Sequence, residues 1–286
     1  MIRENSQLSP VDRTLLTQSL PFLTLSKDVY QTGASQAPQG WKVVAATDDA
    51  QRRHIDGFFA RVYERTDTNT QPRYAVAFRG TDSLTDIRDM GADVDIARRR
   101  LPGQYAQALQ FVNDVCREKN INPANMAFTG HSLGGYLAAA AGTFFNSKNI
   151  WTFNAPAPDA NIWDKIGRDK NHDAATVPGR GWVQVRSRQD LISEWGNYNG
   201  ATTIGIDTAG DPHGLDNLRH AINQTLNGEP VTAVGPAKKG ALSRIFNAVA
   251  GVSKMIALSP VAGMVIAGLM ADGKGRKRPA NPVTPA

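Results

Sequence analysis

Met126-Ala127-Phe128-Thr129-Gly130-His131-Ser132-Leu133-Gly134-Gly135-Tyr136-Leu137-Ala138-Ala139-Ala140-Ala141 decides how this chain folds. A short apolar run rises to Gly130, a serine stands two residues on, and an alanine-rich segment with helical character follows. That order predicts strand, sharp turn and helix, with Ser132 at the apex. A residue at such an apex is driven toward strained backbone angles. Gly130 and Gly134 flank the turn because a Cβ at either place would collide as strand and helix close on each other. The serine hydroxyl then projects from the carboxyl edge of a sheet. The next amide, that of Leu133, points from the helix start toward any developing negative charge.

Working outward, Trp41–Ala46, Gly57–Tyr63 and Arg73–Phe78 read as strands, the last two joined as a hairpin through the turn-rich stretch 66–72. Val11–Tyr30 reads as an amphipathic helix interrupted or kinked at Pro21. A long helix is expected over Gly103–Glu118, and one over Leu133–Phe145 leaving the apex. A strand ending in a Pro-rich turn is expected over Asn149–Pro158 and another at Trp182–Ser187, then a helix over Leu215–Leu226. An antiparallel edge leading into a mostly parallel sheet fits this order.

A serine that attacks at neutral pH needs a base, and the base needs an orienting acid. With the nucleophile on a strand–helix turn, the acid and then the histidine follow it in the chain. Asp190 stands on the loop after the strand 183–187 and fits that place; the alternative is a surface loop residue paired with Arg186 or Arg188. Asp207 and Asp211 are the alternative acids. Only His213 and His220 follow Asp190, and His220 falls inside a helix whereas His213 lies in a loop. His54 and His172 fall outside the required order, and His131 is expected to support the turn.

Gly130-His131-Ser132-Leu133-Gly134-Gly135 resembles the nucleophile elbow of the class 3 lipases, the fungal-lipase-like branch of the α/β-hydrolases. Arg79-Gly80-Thr81-Asp82 is similar to that family's oxyanion loop. The resemblance spans about residues 20–226. It implies an α/β-hydrolase fold with a mostly parallel central sheet flanked by helices. It implies a serine carboxylic-ester hydrolase of lipase or phospholipase A type, with lipid or another acyl ester as substrate. Ser132, Asp190 and His213 are then the catalytic residues, and the Thr81 and Leu133 amides the oxyanion donors. Ile87 stands where the family often has tryptophan, and the valine-histidine-x-glycine-phenylalanine type of run is missing, which marks a divergent, bacterial-type member. In the same family the region 82–105 can form a lid, here with Met90, Val94, Ile96 and Leu101 as its apolar underside.

No cofactor is expected, because clustered His and Cys ligands and glycine-rich phosphate loops are missing. Cys116 is the single cysteine, so no intramolecular disulfide forms, and its helical apolar surroundings predict a buried thiol. The excess of 32 Lys and Arg over 26 Asp and Glu is local. Residues 231–286 carry eight basic side chains against Asp272 alone, which leaves residues 1–230 near neutral.

The chain thus divides into a hydrolase domain, 1–230, and an apolar helical and basic extension, 231–286. Met255–Met270 is almost uncharged, yet it is shorter than the roughly 20 residues a spanning helix needs and is broken by Pro260. The extension either packs on protein or lies at an anionic membrane surface. The basic run is short and lacks interleaved aromatics, so no nucleic-acid partner is expected. Met1–Gln7 has no apolar core, so synthesis in the cytoplasm without a Sec signal is expected, with membrane association or export by a specialised route. A non-catalytic protein of the same fold, acting on membranes through residues 241–270, is the competing expectation.

Overall fold

The structure is a computed structural model that describes residues 8–31, 37–47, 58–67, 69–80, 90–158, 163–164, 166, 181–194, 196, 198 and 200–231, with the side chains of 90–102 outside that set. Seven strands form one sheet in the order of the chain: β1 (Trp41–Ala46), β2 (Ala60–Arg65), β3 (Tyr74–Phe78), β4 (Ala127–His131), β5 (Asn149–Phe153), β6 (Trp182–Ser187) and β7 (Thr202–Ile206). The first three strands pair antiparallel, and every pairing from β3 to β7 is parallel. With the helices described below, this is the α/β-hydrolase architecture expected from the motifs.

Among the described residues four helices cover the sheet: α1 (Pro10–Asp28), α2 (Met90–Lys119), α3 (Leu133–Phe144) and α4 (Leu215–Asn227). In a strand order that never reverses, the right-handed crossovers usual between parallel strands put the connecting helices on one face. Accordingly one core packs residues of α2 and α3, among them Phe111, Val115, Tyr136 and Phe144, against Val76, Phe78 and Phe128 of the sheet. The opposite core packs α1 and α4 through Leu16, Leu23, Leu218 and Ile222 against Ala75, Ala77 and Phe153. Neighbours on β3 thus serve opposite cores, as the two-residue period of a strand requires.

Three expectations are corrected. Helix α1 runs unbroken through Pro21. Proline forfeits a single amide donor there. The buried stripe Leu16, Ser19, Phe22, Leu23, Leu25 and Ser26 continues on both sides of it and holds the helix on the sheet. Helix α2 begins at Met90 rather than Gly103, continuing through positions 102 and 103. The strand β7 had no counterpart in the sequence reading. Its pattern of Thr202 and Thr203 exposed, Ile204 and Ile206 buried is the weak alternation of an edge strand. Cys116 is buried as expected, its Sγ 3.4 Å from Met126 Sδ, and burial pushes its thiol up to about 12. The extension 232–286, the stretch 82–89 and the lid side chains Met90, Val94, Ile96 and Leu101 lie outside the described residues. No described helix is long and apolar enough to cross a membrane.

Candidate active site

The site is assembled where β4 and β5 end. Ser132 sits between β4 and α3 with φ 56° and ψ −132°, a left-handed conformation that L-residues rarely adopt. Strand–turn–helix packing enforces it. A Cβ on Gly130 would lie 2.4 Å from the Gly134 carbonyl, and one on Gly134 would lie 2.2 Å from the Phe78 carbonyl oxygen. Those contacts are possible only for glycine, so β3, β4 and the start of α3 meet more closely than side chains would allow. Below the turn, Thr129 ties β4 to α1 through the Ser26 hydroxyl at 2.8 Å. The Ser132 amide donates to Phe153 O at 3.1 Å, and its carbonyl accepts the amides of Gly135 and Tyr136. The Leu133 amide is the first donor of α3, among those a helix leaves without an internal acceptor.

Asp190 and His213 come together at this edge. His213 Nδ1 lies 3.1 Å from Asp190 Oδ1, with both side chains buried. The carboxylate is oriented by its own turn: Oδ1 accepts the Ile192 amide at 3.2 Å and Oδ2 the Ser193 amide at 3.3 Å. Burial works against a charged His213 ring, but the charge and hydrogen bond of Asp190, aided by Asp211, outweigh it and raise the histidine's pKa above 6.5. The other candidates have places and partners of their own. Arg186 donates to Ser193 O at 2.8 Å, and Arg188 pairs with Asp207 at 2.7 Å. Asp211 caps its own turn by accepting the His213 amide at 3.0 Å. His220 is exposed on α4, and His54 and His172 lie outside the described residues.

His213 is held against the Ser132 turn by its backbone. Its carbonyl accepts from His131 Nε2 at 2.8 Å and from Asn154 Nδ2 at 3.0 Å. His131 precedes Ser132 and Asn154 follows β5, so both anchors flank the serine. The Ser132 hydroxyl and His213 Nε2 are each buried without a hydrogen-bond partner. A nucleophile–base bond is often open in a free site and closes on substrate. Thr81 lies outside the described residues, while Gly80 just before it is placed beside the turn, where a Cβ would fall 2.8 Å from His131 O. Among the described residues, no group of three or more His, Cys, Asp or Glu could hold a metal ion.

Sequence reasoning missed Asn154. Its φ of 44° turns the chain at the end of β5. Its side chain takes the Ser187 amide at 2.8 Å toward the Asp190 loop and donates to the Pro212 and His213 carbonyls on the other side. A lone asparagine before Ala155-Pro156 signals a turn, but nothing in its spacing shows that it bridges two loops.

Residues 23–182 match the model of the Tle-like phospholipase domain. The match includes Arg79–Asp82 and Gly130–Gly135 and ends before Asp190 and His213. No curated protein matches the chain. Among solved structures it is similar to the extracellular lipase LipA from Serratia marcescens, with 17% identity and a TM-score of 0.33 over 61% of this chain. The chain spans about a third, 32%, of that lipase. It is similar also to the carboxylesterase EstE1 from a metagenomic library, with 15% identity, a TM-score of 0.31 and coverage of 88% of this chain and 99% of that one. For M37 lipase the figures are 15%, 0.34, 90% and 94%. With more than half its length under the family model, the chain belongs to the Tle-like phospholipase domain family.

Proposed function

We propose that this protein is a serine carboxylic-ester hydrolase that cleaves acyl esters of phospholipids. Ser132 is the nucleophile, His213 the base and Asp190 the acid that orients it. The observation that carries the reading is the serine at φ 56° on the β4–α3 turn, its hydroxyl buried without a hydrogen-bond partner, one residue on from His131, whose ring lies 4.7 Å from that of His213, itself held by Asp190 with its Nε2 unpartnered. Family membership supports the ester and the phospholipid. The Gly130–Gly135 and Arg79–Asp82 motifs support a place near the class 3 lipases.

In this mechanism the Ser132 hydroxyl oxygen attacks the ester carbonyl as His213 Nε2 takes its proton. Asp190 holds the Nδ1–H and stabilises the imidazolium. The negative charge on the former carbonyl oxygen falls to the amides of Leu133 and Thr81, each worth on the order of 3 kcal/mol in the transition state. The imidazolium protonates the leaving alcohol, and an acyl-serine remains. A water then loses its proton to His213 and attacks the acyl carbon. The Ser132 oxygen leaves, recovers the proton, and the fatty acid departs. The apolar, basic composition of residues 241–278 supports a membrane-surface role for the extension.

The test is release of fatty acid from vesicles of anionic and zwitterionic phospholipid by the full chain and by Ser132→Ala, with fluorophosphonate labelling of both. Release and labelling by the natural chain alone support the proposal. Equal vesicle leakage from both proteins without fatty-acid release would leave the non-catalytic membrane reading in its place.

A further inference from the structure

His131 and Tyr30 are conspicuous because the mechanism above uses neither, yet together they touch both sides of the site. Tyr30 closes the turn after α1, and its hydroxyl reaches across to the end of β3. There it accepts the Gly80 amide at 3.1 Å and lies 3.2 Å from His131 Nδ1. At the other edge of the same ring, Nε2 contacts His213 O at 2.8 Å.

These contacts settle the protons. A peptide carbonyl can only accept, so His131 Nε2 carries the hydrogen. In a neutral ring Nδ1 then accepts, and the Tyr30 hydroxyl donates to it. The tyrosine oxygen remains free to accept the Gly80 amide. Every donor in the series finds one acceptor, and the series runs from the residue before Thr81 to the backbone of the base. A protonated His131 would turn Nδ1 into a second donor facing the tyrosine hydroxyl and break it. The two histidine rings are 4.7 Å apart, so a charge on His131 would also oppose the imidazolium that His213 becomes in the reaction. Burial, and then the proximity of His213, push the His131 pKa down to about 3, which keeps it neutral.

A second observation is independent of the hydrogen bonds. A Cβ on Gly80 would fall 2.6 Å from the Tyr30 hydroxyl and 2.8 Å from His131 O. The glycine in Arg79-Gly80-Thr81-Asp82 therefore makes the room that the tyrosine occupies.

We infer that Tyr30 and neutral His131 form a strut that sets Gly80, where the oxyanion loop begins, and the base His213 at a fixed separation across Ser132, so that both are positioning residues for ester hydrolysis. The inference rests on the assignment of Ser132 and His213 given above. The strut carries no proton in the reaction. It holds a distance that matters most when the tetrahedral intermediate spans both sides, so its loss lowers kcat and leaves KM nearly alone.

The experiment measures kcat, KM and thermal midpoint on a soluble p-nitrophenyl ester for the natural chain, Tyr30→Phe, His131→Gln and His131→Asn, with Ser132→Ala alongside. Tyr30→Phe is expected to lose about tenfold in kcat with KM within about twofold. His131→Gln keeps a donor where Nε2 stood and should retain more kcat than His131→Asn, which reaches only toward Tyr30. Nitrogen-15 spectra of the natural chain should show His131 protonated at Nε2 and not titrating between about pH 5 and 8.

Tyr30→Phe with full kcat, whatever its thermal midpoint, overturns the strut while a dead Ser132→Ala leaves the triad standing. A His131 that titrates in that range, or carries its proton on Nδ1, overturns it as well. An active Ser132→Ala removes the assignment of the site itself, and the strut falls with it.

Discussion

Gly134→Ala tests the packing that creates the turn. The new methyl carbon would stand 2.2 Å from Phe78 O and 2.8 Å from the Gly80 nitrogen, both main-chain atoms that cannot rotate away. A carbon rests about 3.3 Å or more from a carbonyl oxygen, so the start of α3 must retreat from the end of β3 by about 1 Å. Ser132 and Leu133 immediately precede Gly134 and travel with it. Overpacking of this kind costs about 1–3 kcal/mol of stability. A displacement of about 1 Å at reacting atoms costs on the order of a hundredfold in rate.

Gly142→Ala is the matched control. It lies near the far end of α3, and its Cβ would meet Ile150 side-chain atoms at 2.7 and 2.8 Å. It should lower the thermal midpoint without touching turnover of folded protein. The measurements are kcat/KM on a short p-nitrophenyl ester and the unfolding midpoint of each variant. Gly134→Ala with kcat/KM within about threefold of the natural chain would refute the reasoning. So would equal rate losses in the two variants, since the effect would then be global.

Two further outcomes follow from the electrostatics. Asp190→Asn should cut kcat by on the order of ten-thousandfold, because the amide no longer holds the correct imidazole tautomer. His213 is raised above 6.5 chiefly against its burial, so the acid limb of kcat/KM lies above pH 6.5 in the natural chain and moves to lower pH in the variant; a pH–rate profile reads both. Glu64 is lowered from 4.5 to about 2, first by its hydrogen bond from Lys42 and further by Arg73 and Tyr74. A depressed carboxylate contributes stability that is full above pH 4.5 and lost as pH falls toward about 2. Glu64→Gln should therefore cost about 1–2 kcal/mol in urea unfolding at pH 7, discounted because Lys42 and Arg73 are half-exposed, and the gap should close near pH 2.

The turn at Ser132 was legible because its demands are local. Two glycines, a strand before and a helix after are written within sixteen residues, and each requirement is steric. Asp190 and His213 could be approached by order along the chain, since His220 sits in a helix and no other histidine follows. Their contact is a tertiary fact that order narrows without measuring. Asn154 and Tyr30 show the limit. Each acts by a hydrogen bond to the backbone of a distant segment, and a backbone partner leaves no mark on sequence. The edge strand β7 was missed for a related reason, as two of its five residues face solvent and only Ile204 and Ile206 report on a core. Pro21 shows the converse, a strong local signal overruled by the apolar face on which its helix lies.

The twisted backbone at Ser132 sets function against durability. Glycine is the one residue for which φ 56° and ψ −132° cost little, and any side chain there holds back roughly 1–3 kcal/mol that folding would otherwise keep. Exchange of Ser132 for glycine would thus yield a chain that does nothing and resists heat better than its parent. Screening variants of this protein for thermal tolerance alone would drift toward such inert descendants, and any search for a hardier form has to score turnover in the same step.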